Sequence, residues 1–136
     1  MSGGKRRLGV LLCAVAAAAG AAGASMGQQP FPFDSELQLD VRPMPGSKRI
    51  PNMDVAANGA IALEMWCNRV EGQVIVAGDT ITVLTGEPTN RQCPPDRARS
   101  DAELLSALTE ATTWRRQGST VLLIGPRTLR FRLPTN

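Results

Sequence analysis

The chain contains neither histidine nor tyrosine among its 136 residues. Without imidazole, the commonest general base and the commonest metal ligand are gone, and with them every histidine-based nucleophilic triad. No C-x-x-C pair is present, so a zinc site would have to be assembled from separate cysteines and carboxylates. No glycine-rich phosphate loop occurs; the glycines of the body of the chain stand singly in turn-like positions. Past residue 24 there is no internal repeat and no low-complexity segment. These absences predict no catalytic residue, no cofactor and no metal, and therefore a protein that is not an enzyme.

What is present divides the chain into three. Lys5, Arg6 and Arg7 precede an apolar or small-residue run from Leu8 to Ala22, and Ala22-Gly23-Ala24 offers small residues for cleavage. That order is expected of a secretory signal over residues 1–24, cut at about Ala24, which places the mature protein in the periplasm or outside the cell. A permanent anchor wants about 20 strongly apolar residues, and this run is mostly Ala and Gly. Cys13 lies inside the run, where a lipid-modified cysteine would not, and the pair Arg6-Arg7 leaves twin-arginine export as a minor alternative. Three of the fifteen basic residues leave with the signal, so twelve basic face twelve acidic residues in the remainder. A neutral domain has no global electrostatic case for nucleic acid or anionic membrane.

Residues 25–35 carry Pro30 and Pro32 with Phe31 and Phe33 between and beside them, and read as an extended leader whose phenylalanines can dock on a core. Residues 36–134 read as one domain. Leu37, Leu39 and Val41 alternate with polar residues, the period of a half-buried strand. Met53–Ala57 and Ala60–Trp66 flank Asn58-Gly59, the signature of a two-residue hairpin turn. Gln73–Ala77 and Thr80–Leu84 form another strand pair around Gly78-Asp79. Thr112–Arg116, Thr120–Ile124 and Arg127–Leu133 make a closing meander. One helix is expected at about 101–111, opened by a Ser100-x-x-Glu103 capping box, with Leu104, Leu105 and Leu108 on one face. The predicted fold is β-rich α+β: antiparallel strands in a small barrel-like sheet with one helix.

Several groups invite a chemical reading. Cys67 and Cys93 form an even pair 26 residues apart, in an exported chain most simply a disulfide, with two buried free thiols as the alternative. Glu64 and Glu71, or Asp101 and Glu103, could form carboxylate pairs; the second pair is accounted for as helix-terminal charge and the first as a solvated face. Arg115, Arg116, Arg127, Arg130 and Arg132 could form a row for an anionic lipid or acidic partner, against the simpler reading of a polar face that protects an edge. Met44, Met53 and Met65 suggest soft-metal binding less than packing, with Met65 in the core and the other two near loops. Trp66 reads as a packing cover beside Cys67.

The run Cys67-Asn68-Arg69, Gly72, Gly78-Asp79-Thr80-Ile81-Thr82, Cys93-Pro94-Pro95 and the E-L-L-S-A-L helix, followed by Trp114-Arg115, Gly118 and Leu129-Arg130-Phe131, resembles the META (HslJ-like) domain family. The resemblance covers roughly residues 37–133. It implies a small barrel-like fold with one helix, an envelope location, heat-shock and drug-stress links, and no catalytic residues. Cys67 and Cys93 match the family's cysteine positions, which supports their pairing. The expected function is that of a non-enzymatic envelope stress or interaction protein. Its partner is an envelope protein, with a lipid or small hydrophobic ligand carrier as the alternative. A carrier requires an unfilled apolar cavity between the Leu104/Leu108 face and the sheet. The domain is expected to be a monomer that does not span the membrane.

Overall fold

In the computed structural model, the described residues are 29–134 together with Gly3, Gly4 and Gly9. The expected signal segment, those glycines apart, and its cleavage point lie outside the described residues. Eight strands follow in chain order: β1 (Ser35–Leu39), β2 (Asn52–Val55), β3 (Ala60–Glu64), β4 (Arg69–Ala77), β5 (Thr80–Thr85), β6 (Thr113–Gln117), β7 (Thr120–Ile124) and β8 (Thr128–Arg132). A single helix, α1 (Pro95–Glu110), separates β5 from β6. Every strand pairs antiparallel with its chain neighbours, and β1 pairs with β8 to close an eight-stranded barrel. The expected β-rich α+β barrel with one helix is the fold found.

Alternation explains the wall. Leu37 and Leu39 of β1, Met53 and Val55 of β2, Ile61 and Leu63 of β3, and Val121 and Leu123 of β7 point inward. They meet Leu104 and Leu108 of α1 in one continuous cluster that occupies the barrel. Each such side chain contributes about 1.5–3 kcal/mol by leaving water. Met53, expected near a loop, is fully buried, because β2 places it opposite Leu63. Met65 is buried as expected.

The seam between β5 and β6 holds one strand pair, Thr80 with Thr113. Above it α1 packs beside β5 and supplies the missing wall. The opposite end is stopped by the leader. Phe31 is buried edge-on against Trp114, ring centroids 5.2 Å apart, and Trp114 Nε1 donates to the Gly78 carbonyl at 2.8 Å. Arg116 Nη1 donates to the Pro30 carbonyl at 2.9 Å, tying the leader to β6.

Two local expectations differ from the structure. The β2–β3 connection is a three-residue loop: the Gly59 amide donates to Ala56 and the Ala56 amide to Ala60. Gly59 has positive φ, 85°, and Asn58 does not. The Asn58 side chain accepts from the Ala60 amide instead, which holds a right-handed turn followed by a bulge glycine. Helix α1 starts at Pro95, six residues ahead of the expected start. Proline fits the first helical position, where its missing N–H is no loss, and Pro94 precedes it as the cap residue without a side-chain cap bond. The first turns, Pro95–Arg99, bury no apolar stripe, so periodicity is silent there.

Gly72 marks a corner of the wall: a Cβ placed there would lie 2.0 Å from the Leu84 carbonyl oxygen. Only glycine allows β5 to approach β4 that closely.

Cys67 and Cys93 are joined, Cα atoms 6.0 Å apart, across 26 residues of sequence. Closing a loop of this size removes about 3–4 kcal/mol of unfolded-chain entropy. Reduction under native conditions, or Cys67→Ala with Cys93→Ala, is therefore expected to lower the melting temperature by roughly 10–20 °C in a circular-dichroism melt. An unchanged melting point after complete reduction contradicts the staple.

Candidate functional site

A polar constellation lies where β3 turns into β4. Met65 N donates to the Asn68 carbonyl at 2.9 Å, closing a tight turn that leaves the Cys67 and Asn68 amides pointing outward from it. Both are taken by Asp101 of α1: Oδ1 accepts from Cys67 N at 3.2 Å and Oδ2 from Asn68 N at 2.7 Å. Asp101 is 4% exposed and is the buried charged residue of the described core. A carboxylate buried on two backbone donors is held by charge-assisted bonds, each stronger than a neutral pair. The Asn68 side chain continues the network. Its Oδ1 accepts from Arg91 N at 2.8 Å and from the Thr89 hydroxyl at 3.0 Å, and Thr89 Oγ1 in turn accepts from Arg69 N. The Cys67–Cys93 bridge completes the tie between turn, loop 86–94 and helix.

This corrects one expectation and explains another. Asp101 and Glu103 do not open the helix; they lie in its second and third turns, and the Ser100–Glu103 pair caps nothing. Asp101 instead faces inward as a ligand for backbone amides, and Glu103 is exposed. Glu64 and Glu71, left without a role by sequence, flank Arg69 at 3.6 and 3.5 Å. Neither pair of carboxylates is arranged around a common reacting position. The arginines are divided: Arg130 and Arg132 meet Asp40 at 3.1 and 3.2 Å, Arg116 reaches the leader, and Arg115 stands opposite Leu122 on the outer wall. Among the described residues no cluster of three potential ligands could hold a metal ion.

Beside this hub a groove of about 510 Å³ opens between α1, the end of β1 and the β7–β8 turn. Its floor is apolar: Trp66, Leu104, Ala107 and Leu129. Asp40, Glu103, Arg127 and Arg130 supply its charges. Val41, expected to continue the inward alternation of β1, lies past the strand's end and is 39% exposed beside the groove. The Trp66 Nε1 is buried there without a hydrogen-bond partner among the described residues. An orphaned donor of this kind costs roughly 1–3 kcal/mol. The groove is concave, largely apolar and bordered by a few polar groups, the pattern of a binding site. Leu108, and Leu104 apart from its edge on the groove, pack in the core rather than around an interior hollow. Sequence reasoning misses the groove because it joins residues from four separated segments; an apolar Trp66 followed at once by the structural Cys67 is its one local signal.

The described residues form a small antiparallel barrel with one helix, stapled by a disulfide at its β3–β4 turn. The chain belongs to the META domain family, whose profile matches residues 35–133. Its fold is similar to that of a protein from Burkholderia xenovorans solved by NMR. That match has a TM-score of 0.63 and 17% identity, and covers 84% of this chain and 97% of the other. A second NMR structure is similar with a TM-score of 0.60 and 18% identity, covering 74% of this chain and 89% of the other. At these identities the likeness speaks for the fold alone. No curated protein matches the chain.

The hub makes a separable prediction. Asp101→Ala leaves two buried amides unpaired and should cost about 3–4 kcal/mol in urea unfolding. Glu103→Ala, two residues on, should cost no more than about 0.5 kcal/mol. Equal effects would contradict the inward placement of Asp101.

Proposed function

We propose that this protein is exported, loses residues 1–24 and works without catalysis in the cell envelope as a stress or interaction protein. Its partner is an envelope protein, and the docking site is the groove between α1 and β8. The observation that carries this reading is a barrel packed to its centre beside an open apolar groove. Ligands of the interior have no room, whereas an apolar side chain of a partner can lie over Trp66, Leu104 and Leu129. The partner's backbone can also offer a carbonyl to the unpaired Trp66 N–H once the indole turns outward. The Cys67–Cys93 bridge fits an oxidising compartment. The lack of histidine, and carboxylates already engaged by Arg69 or by backbone amides, favour a non-catalytic role. No helix among the described residues is long and apolar enough to cross a membrane.

The carrier reading survives in a changed form: the groove's volume falls within the roughly 300–1,000 Å³ of small-ligand sites. The two readings separate in one experiment. A photo-crosslinking residue is placed at Leu129 in the groove and, as a control, at Thr82 on the far wall, in the full chain expressed with its own leader. The expected result is a mature mass beginning near Ser25 and a discrete protein adduct from position 129 alone. A lipid-sized adduct from position 129 would replace the interaction reading by the carrier reading. Equal adducts from both positions would remove the groove as the site.

A further inference from the structure

The outer wall of the barrel is divided by charge, and strand order centres one half on β2–β3 and the other on β7, across the barrel from it, with β1 and β8 adjoining. On β1–β4, register aligns Glu36, Asp54, Ala62 and Glu71 in one outward row. Asp34 and Glu64 lie on the same side. These five carboxylates share one arginine, Arg69, which sits at 3.5–3.6 Å from Glu71 and Glu64. Four of them, Asp34, Glu36, Asp54 and Glu71, line a depression of about 590 Å³ whose floor includes the small residues Ala56, Ala60 and Ala62. The short side chains make the wall concave where the acids ring it.

The β6–β8 wall has the inverse character. Arg115, Leu122 and Arg130 form one outward row, and Ile124 lies two residues along β7 from Leu122. Of Arg115, Arg127, Arg130 and Arg132, Arg130 and Arg132 meet a carboxylate, Asp40, which serves both. Two aliphatic side chains on the central strand are thus fringed by guanidinium groups. Apolar centre with a charged rim is the usual anatomy of a protein interface. Arginine also matches carboxylates in a two-pronged geometry that lysine lacks.

We propose that the arginine-fringed β6–β8 face of one copy docks into the acidic depression on β1–β4 of a second copy. Leu122 and Ile124 lie over the alanine floor, and Arg115 and Arg130 meet Asp54, Glu36 and Glu71. Because the two faces are different surfaces on opposite walls, the contact is head-to-tail and propagates. It leaves the α1–β8 groove outside its centre and does not depend on the groove's function. The contact is mainly electrostatic and screened by salt, so a dilute sample in high salt is the monomer expected from sequence.

The side chains of Asp54 and Arg115 are exposed and make no hydrogen bond or ion pair among the described residues, so Asp54→Lys and Arg115→Glu should leave folding intact; a melting curve checks this. Sedimentation velocity of the mature protein is measured up to millimolar concentration, at about 0.02 M and about 0.5 M salt. The wild type should associate in low salt and dissociate in high salt. Each single reversal should weaken association by about tenfold or more. An equimolar mixture of the two variants should recover association, since their intact faces match and the reversed side chains at positions 54 and 115 are again opposite in charge. A wild type that stays monomeric in low salt overturns the proposal. Association that survives both reversals, or singles that fail to pair when mixed, overturns it equally.

Discussion

The Asp101 carboxylate is the contact on which the rest of the molecule depends. It is the point where the helix and the barrel wall share hydrogen bonds rather than surface alone. Without a partner, the Cys67 and Asn68 amides would be buried donors, and the β3–β4 turn would have no reason to hold its shape against the helix. With Asp101 in place, the turn is rigid, Asn68 can reach the Thr89–Arg91 loop, and Cys67 is presented to Cys93. The disulfide and the hydrogen bonds therefore constrain one object from two sides. The covalent link limits the unfolded chain, while the carboxylate selects the native position of α1.

That arrangement decides where function can lie. Because β5 and β6 share one strand pair, held by hydrogen bonds from the Ile81 amide to Thr112 and from the Trp114 amide to Asp79, α1 packs beside β5 to cover the rest of that side. Leu104 and Leu108 then fill the interior that a split barrel would have left open. The remaining apolar concavity lies beside α1, where Trp66, Leu104 and Leu129 line the groove. Leu104 packs in the core and also borders that groove, so one helix face serves both. A change at Asp101 should disturb both through the helix's position.

Much of the barrel is legible in the amino-acid sequence. Period-two alternation locates Leu37–Leu39, Ile61–Met65, Thr120–Ile124 and Leu129–Phe131 because strands with one buried face write their register directly into residue type. The helix's apolar face is legible for the same reason, but its start is not. Pro94-Pro95 reads as a break, although proline is equally a first helical residue, and the exposed turns after it carry no periodic signal. The capping-box pattern at Ser100 and Glu103 is a coincidence of residue types inside a helix already under way. Asp101 illustrates the deeper limit. Its partners are 33 and 34 residues away in sequence, and nothing local distinguishes a carboxylate that caps its own helix from one that caps a distant turn. The groove is hidden likewise, since Trp66, Leu104 and Leu129 become neighbours only when the barrel closes.

The most direct measurement is amide hydrogen exchange by NMR at Cys67 and Asn68, in the wild type and in Asp101→Asn with the disulfide intact. Bonded to a buried carboxylate, both amides should exchange in the wild type only as slowly as the barrel's core strands open. In the variant the protection of at least one of them should fall well before that of Leu63 or Val121, because the Nδ2 that replaces a carboxylate oxygen is itself a donor and leaves one amide without an acceptor. Rapid exchange of both amides in the wild type, or unchanged protection in the variant, would contradict the claim that Asp101 holds the helix to the barrel.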